Sequence, residues 1–230
     1  MGLIIVLIAI TLLISWLFVF DLDRMSQERK LFIYEMIQRK IGSSFESIKA
    51  FVIGATGSAG KRALVTILVL ILLPVWIALW WILGIPGVIY AIYKNVKYQP
   101  IRRMGLTSFG IFVAYAAPFF CFPLVPGIIM IERLIMGPLL NRIGIGRMIV
   151  AKTESSYILL PIIEVQYFDF GKPTILQLSQ CKVSLISRKP KKTKIKLSFG
   201  SNKKIILTVL KKHSFSNISE REGIDILLVE

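Results

Sequence analysis

Three stretches of the chain carry no charged side chain: residues 1–20, 63–93 and 104–131. Each reaches the ~20 apolar residues that a helix needs to cross the hydrocarbon core of a bilayer, which predicts three transmembrane helices. The second stretch, bounded by Arg62 and Lys94, is longer than one crossing requires and holds Pro74 and then "GIPG" at 84–87. Tilt, a kink and a partial fold-back are all open to it. The third holds Pro118, Pro123 and Pro126. Each proline removes a backbone donor, so the helix must bend or break there and packed neighbours must cover the freed carbonyls.

Between the first two stretches the period changes. Ile33, Ile37 and Ile41 recur every four residues while Arg29, Lys30, Arg39 and Lys40 fill the remaining face, the pattern of an amphipathic helix. Such a helix suits the headgroup layer, or a packed position on the C-terminal domain; the sequence leaves both open. "GSSFES" at 42–47 interrupts it, with Ser43 and Glu46 at capping-box spacing.

After residue 148 short β-type runs take over: "SYILLPIIEVQYF", "TILQLSQCKVSLIS", "KTKIKLSF", "KKIILTVLKK" and "GIDILLVE", separated by turn formers such as "FGKP", "RKPK" and "GSN". In "KTKIKLSF" the apolar Ile195, Leu197 and Phe199 alternate with Lys194, Lys196 and Ser198, the period of a half-buried strand. The expected fold class is therefore membrane α plus β. A transmembrane helix at 1–20 is followed by a cytosolic amphipathic helical linker at 21–62, two further transmembrane helices within 63–147, and a small antiparallel β-sandwich-like domain at 148–230.

Composition supports the membrane reading. Hydrophobic residues make up 55% of the 230, charged residues only 18%, and the mean hydropathy is +0.69, too apolar for an ordinary soluble domain. The first run lacks a preceding basic residue and a following small-residue cleavage site, so it reads as an uncleaved anchor. Against this background stand 29 Lys and Arg and 13 Asp and Glu, a net charge of +16. Eight basic residues lie in 21–62, four in 94–103 and sixteen in 142–230. The positive-inside bias places the N-terminus outside and the C-terminal domain in the cytosol, at the expense of Lys94, Lys97, Arg102 and Arg103, which fall on the wrong side. A second stretch folded as a hairpin brings those four inside but exports the basic C-terminal domain.

Little of the sequence speaks for catalysis. Gly54, Gly57 and Gly60 follow a passable strand, "KAFVI", and resemble the "GATGxxG" turn of short-chain dehydrogenase and NmrA-like Rossmann folds, where the backbone approaches a pyrophosphate. The acidic ribose ligand expected about 20 residues on is missing, because that window is "LVLILLPVWIALWWILG". His213 is the single histidine, and Cys121 and Cys181 form no disulfide or zinc pattern. No catalytic residue, metal site, cofactor or small-molecule substrate is expected. Glu132 and Arg133 interrupt the apolar continuation of the third stretch; adjacent residues do not face each other on a helix, so each needs another partner.

The cluster with most to say is residues 181–212, with eleven Lys and Arg and no acid. Arg188, Lys189, Lys191, Lys192, Lys194, Lys196, Lys203 and Lys204 are its centre and form a candidate surface for an anionic partner. Lipid headgroups, at about 1 kcal/mol per basic residue near the surface, and a nucleoprotein both supply the charge.

Three spans followed by a basic β-rich endodomain, with the polar-then-apolar tail "HSFSNISEREGIDILLVE", resemble in layout the membrane (M) proteins of nidoviruses. The resemblance implies a non-enzymatic, dimeric protein that links membrane and nucleocapsid during budding, and transfers no residue role. The expected function is a self-associating membrane scaffold. A pore through the proline-broken spans, and a subunit of a larger membrane complex, are the alternatives.

Overall fold

The computed structural model describes residues 27–41, 48–98, 122–164, 169–200, 203–216 and 223–228, with isolated positions between 108 and 119. The first apolar run, the "GSSFES" break, Cys121 and the Arg102-Arg103 pair lie outside the described residues. The chain divides into two units: Met1–Glu35 with Leu72–Glu132, and Met36–Ile71 with Arg133–Glu230.

Helix α1, Gln27–Ile41, is the amphipathic segment. Phe32, Ile33, Met36 and Ile37 are buried while Arg39 and Lys40 are exposed. Its apolar stripe is thus covered by protein rather than left open for a headgroup layer.

The long apolar stretch is not one helix. Lacking an N–H, Pro74 cannot extend the turn before it, and the chain forms α2, Ala59–Ile71, a turn at Leu72, and α3, Leu73–Tyr98, with Pro74 in its first turn. The expected disturbance at "GIPG" does not interrupt α3, which runs through Pro86. Helix α4, Leu124–Ile131, starts directly after Pro123 and carries Pro126 in its first turn, where no intrahelical acceptor awaits an N–H. These prolines begin a helix instead of breaking one. A π-helical turn at Glu132–Met136 and helix α5, Gly137–Arg142, continue it. Among the described residues two segments are long and apolar enough to cross a membrane, Pro74–Tyr98 and Leu124–Arg142. In the helical unit α3 packs closely on α4, and Trp81 meets Phe122 edge to face at 6.1 Å.

The second unit is built on one antiparallel sheet of eight strands: β1 Ala50–Thr56, β2 Arg147–Lys152, β3 Ser156–Glu164, β4 Asp169–Phe170, β5 Thr174–Gln177, β6 Cys181–Lys189, β7 Lys192–Phe199 and β8 Lys203–Ser216. Their order is β4-β3-β2-β1-β8-β7-β6, with β5 also on β3. The expected hairpins at "RKPK" and "GSN" are present as the β6–β7 and β7–β8 pairings. The centre of the sheet departs from expectation. Strand β1 comes from the segment read as a helical linker, and it pairs with β2 on one side and β8 on the other.

"GIDILLVE" also differs from the strand expected of it, because Gly223–Leu228 is helix α6. The Ile224 N–H donates to Ser214 Oγ at 2.8 Å and Asp225 sits in the first turn, next to the positive end of the helix dipole. At the other end Tyr157 Oη donates to the Leu227 carbonyl at 2.8 Å and Lys152 Nζ to the Ile226 carbonyl at 3.1 Å. Burial, with the Lys49 ammonium as a smaller contribution, lowers the Lys152 pKa from its ordinary value. Helix α6 thereby presses Ile224 and Leu227 onto Val52, Val150, Leu159, Ile195, Leu207 and Val209, the core under one face of the sheet.

Cys181 belongs to the same core, and burial pushes its thiol pKa up from the ordinary value. Thiolate, not thiol, is the nucleophile. In a Cys121→Ser background the native chain is therefore expected to react with maleimide at least ~10-fold more slowly than the urea-unfolded chain. Equal rates would show that Cys181 is not covered.

Candidate anion-binding surface

Alternation along β7 sorts the basic cluster. Thr193, Ile195 and Leu197 are buried in the core, so Lys192, Lys194, Lys196 and Ser198 occupy the opposite face. On β8 their partners are Leu210, Thr208, Ile206 and Lys204; on β6 they are Lys189, Ser187, Ser184 and Lys182. Six lysines, at 182, 189, 192, 194, 196 and 204, therefore share one face of three adjacent strands. Aliphatic and hydroxyl side chains are interleaved with them: Ile206 is 50% exposed and Leu210 38%. None of the described residues of β6, β7 or β8 is acidic.

Three members of the sequence cluster go elsewhere. The register of β6 against β7 shifts between Leu185 and Ser187, and a bulge of this kind reverses the parity of everything after it. Arg188 consequently lies opposite Thr193, on the core side, where its guanidinium donates to both Asp225 carboxylate oxygens at 3.0 and 3.3 Å. It anchors α6 and is withdrawn from the basic face. Lys203 pairs with Phe199 and shares Arg188's parity, and Lys191 sits in the turn between β6 and β7. Lys182, absent from the core set read from sequence, joins the face; the alternation Lys182, Ser184 on an apolar–polar strand is the signal for it.

For Arg133 the further partner lies on β4. Arg133 Nε donates to Asp169 Oδ2 at 2.9 Å, and both side chains are partly exposed. The ion pair fastens the π-helical turn to β4, and Asn141 Nδ2 donates to the Ile162 carbonyl at 3.0 Å from the following helix. From Arg133 onward the Leu124–Arg142 segment thus belongs to the sheet unit.

The glycine stretch does form a strand, a turn and a helix. Gly57 takes φ +83 in the turn, which a side chain would oppose, and Ser58 Oγ accepts from the Lys61 N–H at 3.3 Å to cap α2. Both strands flanking β1 are antiparallel to it, whereas a Rossmann turn needs a parallel crossover. His213 lies inside β8. Among the described residues no group of three or more His, Cys, Asp or Glu is placed to hold a metal ion.

Compared with known protein families, with curated proteins and with solved structures, the chain matches none.

Proposed function

We propose that this chain is a non-enzymatic, self-associating membrane scaffold whose sheet presents its lysine face to anionic lipid at the cytosolic surface. The observation that carries the reading is the composition of that face, with Lys192 opposite Leu210 and Lys196 opposite Ile206. Lysine heads over aliphatic stems and neighbours suit the headgroup boundary, where charge meets phosphate and methylenes reach the acyl edge. Stacking nucleic-acid surfaces use aromatic side chains instead, and the strand segments that carry the lysines, β6, β7 and Lys203–Leu210 of β8, hold a single one, Phe199, which packs against the core.

The helical unit supports membrane residence. Ile82, Ile85 and Ile89 on α3 are each more than 60% exposed, an apolar surface that lipid would cover. At its far end Lys94 lies over the Tyr90 and Tyr98 rings at 5.4 and 5.1 Å, and Lys97 Nζ donates to Tyr93 Oη at 2.9 Å. Tyrosines and snorkelling lysines of this kind mark membrane interfaces, and in this reading their mutual contacts reduce the cost of placing Lys94 and Lys97 outside. An outside N-terminus, a third span at 1–20 and a dimer complete the proposal, and the resemblance in layout to nidovirus M proteins is the support for proposing the inner face of a viral envelope as its site.

The test uses the full chain in nanodiscs, with a spin label at Lys191→Cys in a cysteine-free background. In phosphatidylcholine discs with one-fifth phosphatidylserine the label is expected to approach the lipid, and to withdraw in high salt or when Lys192, Lys194 and Lys196 become Glu. A label depth independent of phosphatidylserine would overturn the proposal. So would displacement of the sheet from the discs by single-stranded RNA at equal phosphate concentration.

A further inference from the structure

Part of the lysine face is not flat. Beside β8 the surface sinks into an open groove of about 670 Å³, within the ~300–1,000 Å³ range of small-ligand sites. Lys192, Lys194 and Lys204 line one side of it; Ser58, Thr208 and Asn141 are among the residues that line the rest. Its lining contains no carboxylate, and no ion pair is present for these three lysines among the described residues. Lys182, Lys189 and Lys196 share the face and are not part of the lining. Lysines bordering a concavity bear on a ligand from more than one direction, whereas lysines on a flat sheet act only through their summed field.

The geometry points to a binding site for a multiply phosphorylated lipid headgroup in this groove, an inference that rests on the lipid-facing reading of the sheet. Spacing sets the number of phosphates. Lys204 lies opposite Ser198, four residues along β7 from Lys194, which at ~3.3 Å per residue separates their backbones by ~13 Å. Lysines so spaced meet a ligand at two places, so a headgroup bearing phosphates on different atoms satisfies them better than a single phosphate. Hydroxyl and amide side chains on the remaining wall supply neutral donors to a sugar-like or polyol ring. The glycine turn fits the same use: Thr56 is fixed to the sheet by donating through its N–H and its Oγ1 to the Gly146 carbonyl, at 2.9 and 2.8 Å. Thr56 and Gly57 thereby form a rigid rim.

The full chain in detergent micelles is titrated with short-chain phosphatidylinositol bisphosphate, short-chain phosphatidylserine and inorganic phosphate. Tight binding is expected for the bisphosphate alone. Two variants lose the same charge: Lys192, Lys194 and Lys204 to Gln, inside the groove, and Lys182, Lys189 and Lys196 to Gln, outside it. The first is expected to weaken bisphosphate binding by about 100-fold, near fivefold per lysine, and the second by less than threefold. Ile206→Trp, which fills the groove and keeps every lysine, is expected to match the first. Equal losses from the two triple variants, or full affinity in Ile206→Trp, would overturn the groove site and leave the sheet's general attraction to anionic lipid standing. Competition by inorganic phosphate at equal concentration would overturn the lipid headgroup as ligand. A spin label insensitive to phosphatidylserine in the nanodisc experiment marks failure of the wider reading, independently of these titrations.

Discussion

Residues 148–230 produced alone are expected to show no cooperative unfolding transition, although the sequence reads them as a complete domain. The strand they lack, β1, occupies the middle of the sheet. It pairs along six residues with β2 and along six with β8, so its loss leaves two smaller sheets with two raw edges. Phe51, Val52 and Ile53 are all buried, and forfeiting about 1.5–3 kcal/mol for each consumes most of the ~5–15 kcal/mol that stabilises a domain. Restoring the strand is expected to restore the fold. Gly57 lies against the Gly144 carbonyl, 3.0 Å from the position of an added Cβ, so a short linker joins residues 48–57 to 145–230 without crossing the sheet. Near-ultraviolet circular dichroism and thermal melts of the two proteins decide the matter. A sharp melt from 148–230 alone, unaltered by the added strand, would show that β1 is dispensable.

The reason β1 is hidden in the sequence is the same reason it matters. Strand β7 announces itself because one face is buried and the other carries lysine, giving a period of two. In "AFVIGAT" six of seven residues are buried, so no polar alternation survives and the segment reads as the approach to an apolar span. Helix α6 is hidden differently. Six residues are too few for a helical period, and what holds them helical is Ser214, Tyr157 and Lys152, partners 10 to 74 positions away. The basic cluster was legible as charge and not as geometry. A one-residue bulge near Ile186 turns Arg188 onto Asp225 and leaves Lys182 with the lysine face, and no local signal in "SLISRK" marks it. The partner of Arg133 was equally out of reach, since Asp169 is 36 positions on in sequence. The principal hairpins and the presence of two apolar helices needed only local pattern and were readable; that the second of these runs on past Glu132 and Arg133 to Arg142 was not.

Gly87→Leu is expected to separate α3 from α4 and to lower the melting temperature of the full chain in detergent more than any other single change in the helical unit. A Cβ at Gly87 would run into the Pro126 carbonyl, and one at Gly127 would stand 2.7 Å from the Trp80 carbonyl oxygen and 2.8 Å from the Trp80 Cα. These are backbone atoms and cannot swing aside. At Gly84 the nearest atoms are side-chain ones, the Phe122 ring at 2.8 Å and Pro123 Cβ at 2.9 Å, with no backbone atom among them, so Gly84→Ala is expected to be milder. In a bilayer two apolar helices gain nothing from leaving water, and close backbone approach at small residues supplies much of their attraction. Overpacking costs typically 1–3 kcal/mol, which sets the scale for Gly87→Ala, with leucine beyond it. The alanine variant separates contact from conformation. Positive φ is confined, among the described glycines, to Gly57, Gly144 and Gly200, so alanine fits the backbone at 87 and within a helix is favoured over glycine by about 1 kcal/mol. If "GIPG" served as a hinge, Gly87→Ala would stiffen it and raise the melting temperature. If the glycine is there to admit Pro126, the same substitution lowers it, while Ile89→Leu, at a position 63% exposed, leaves it unchanged.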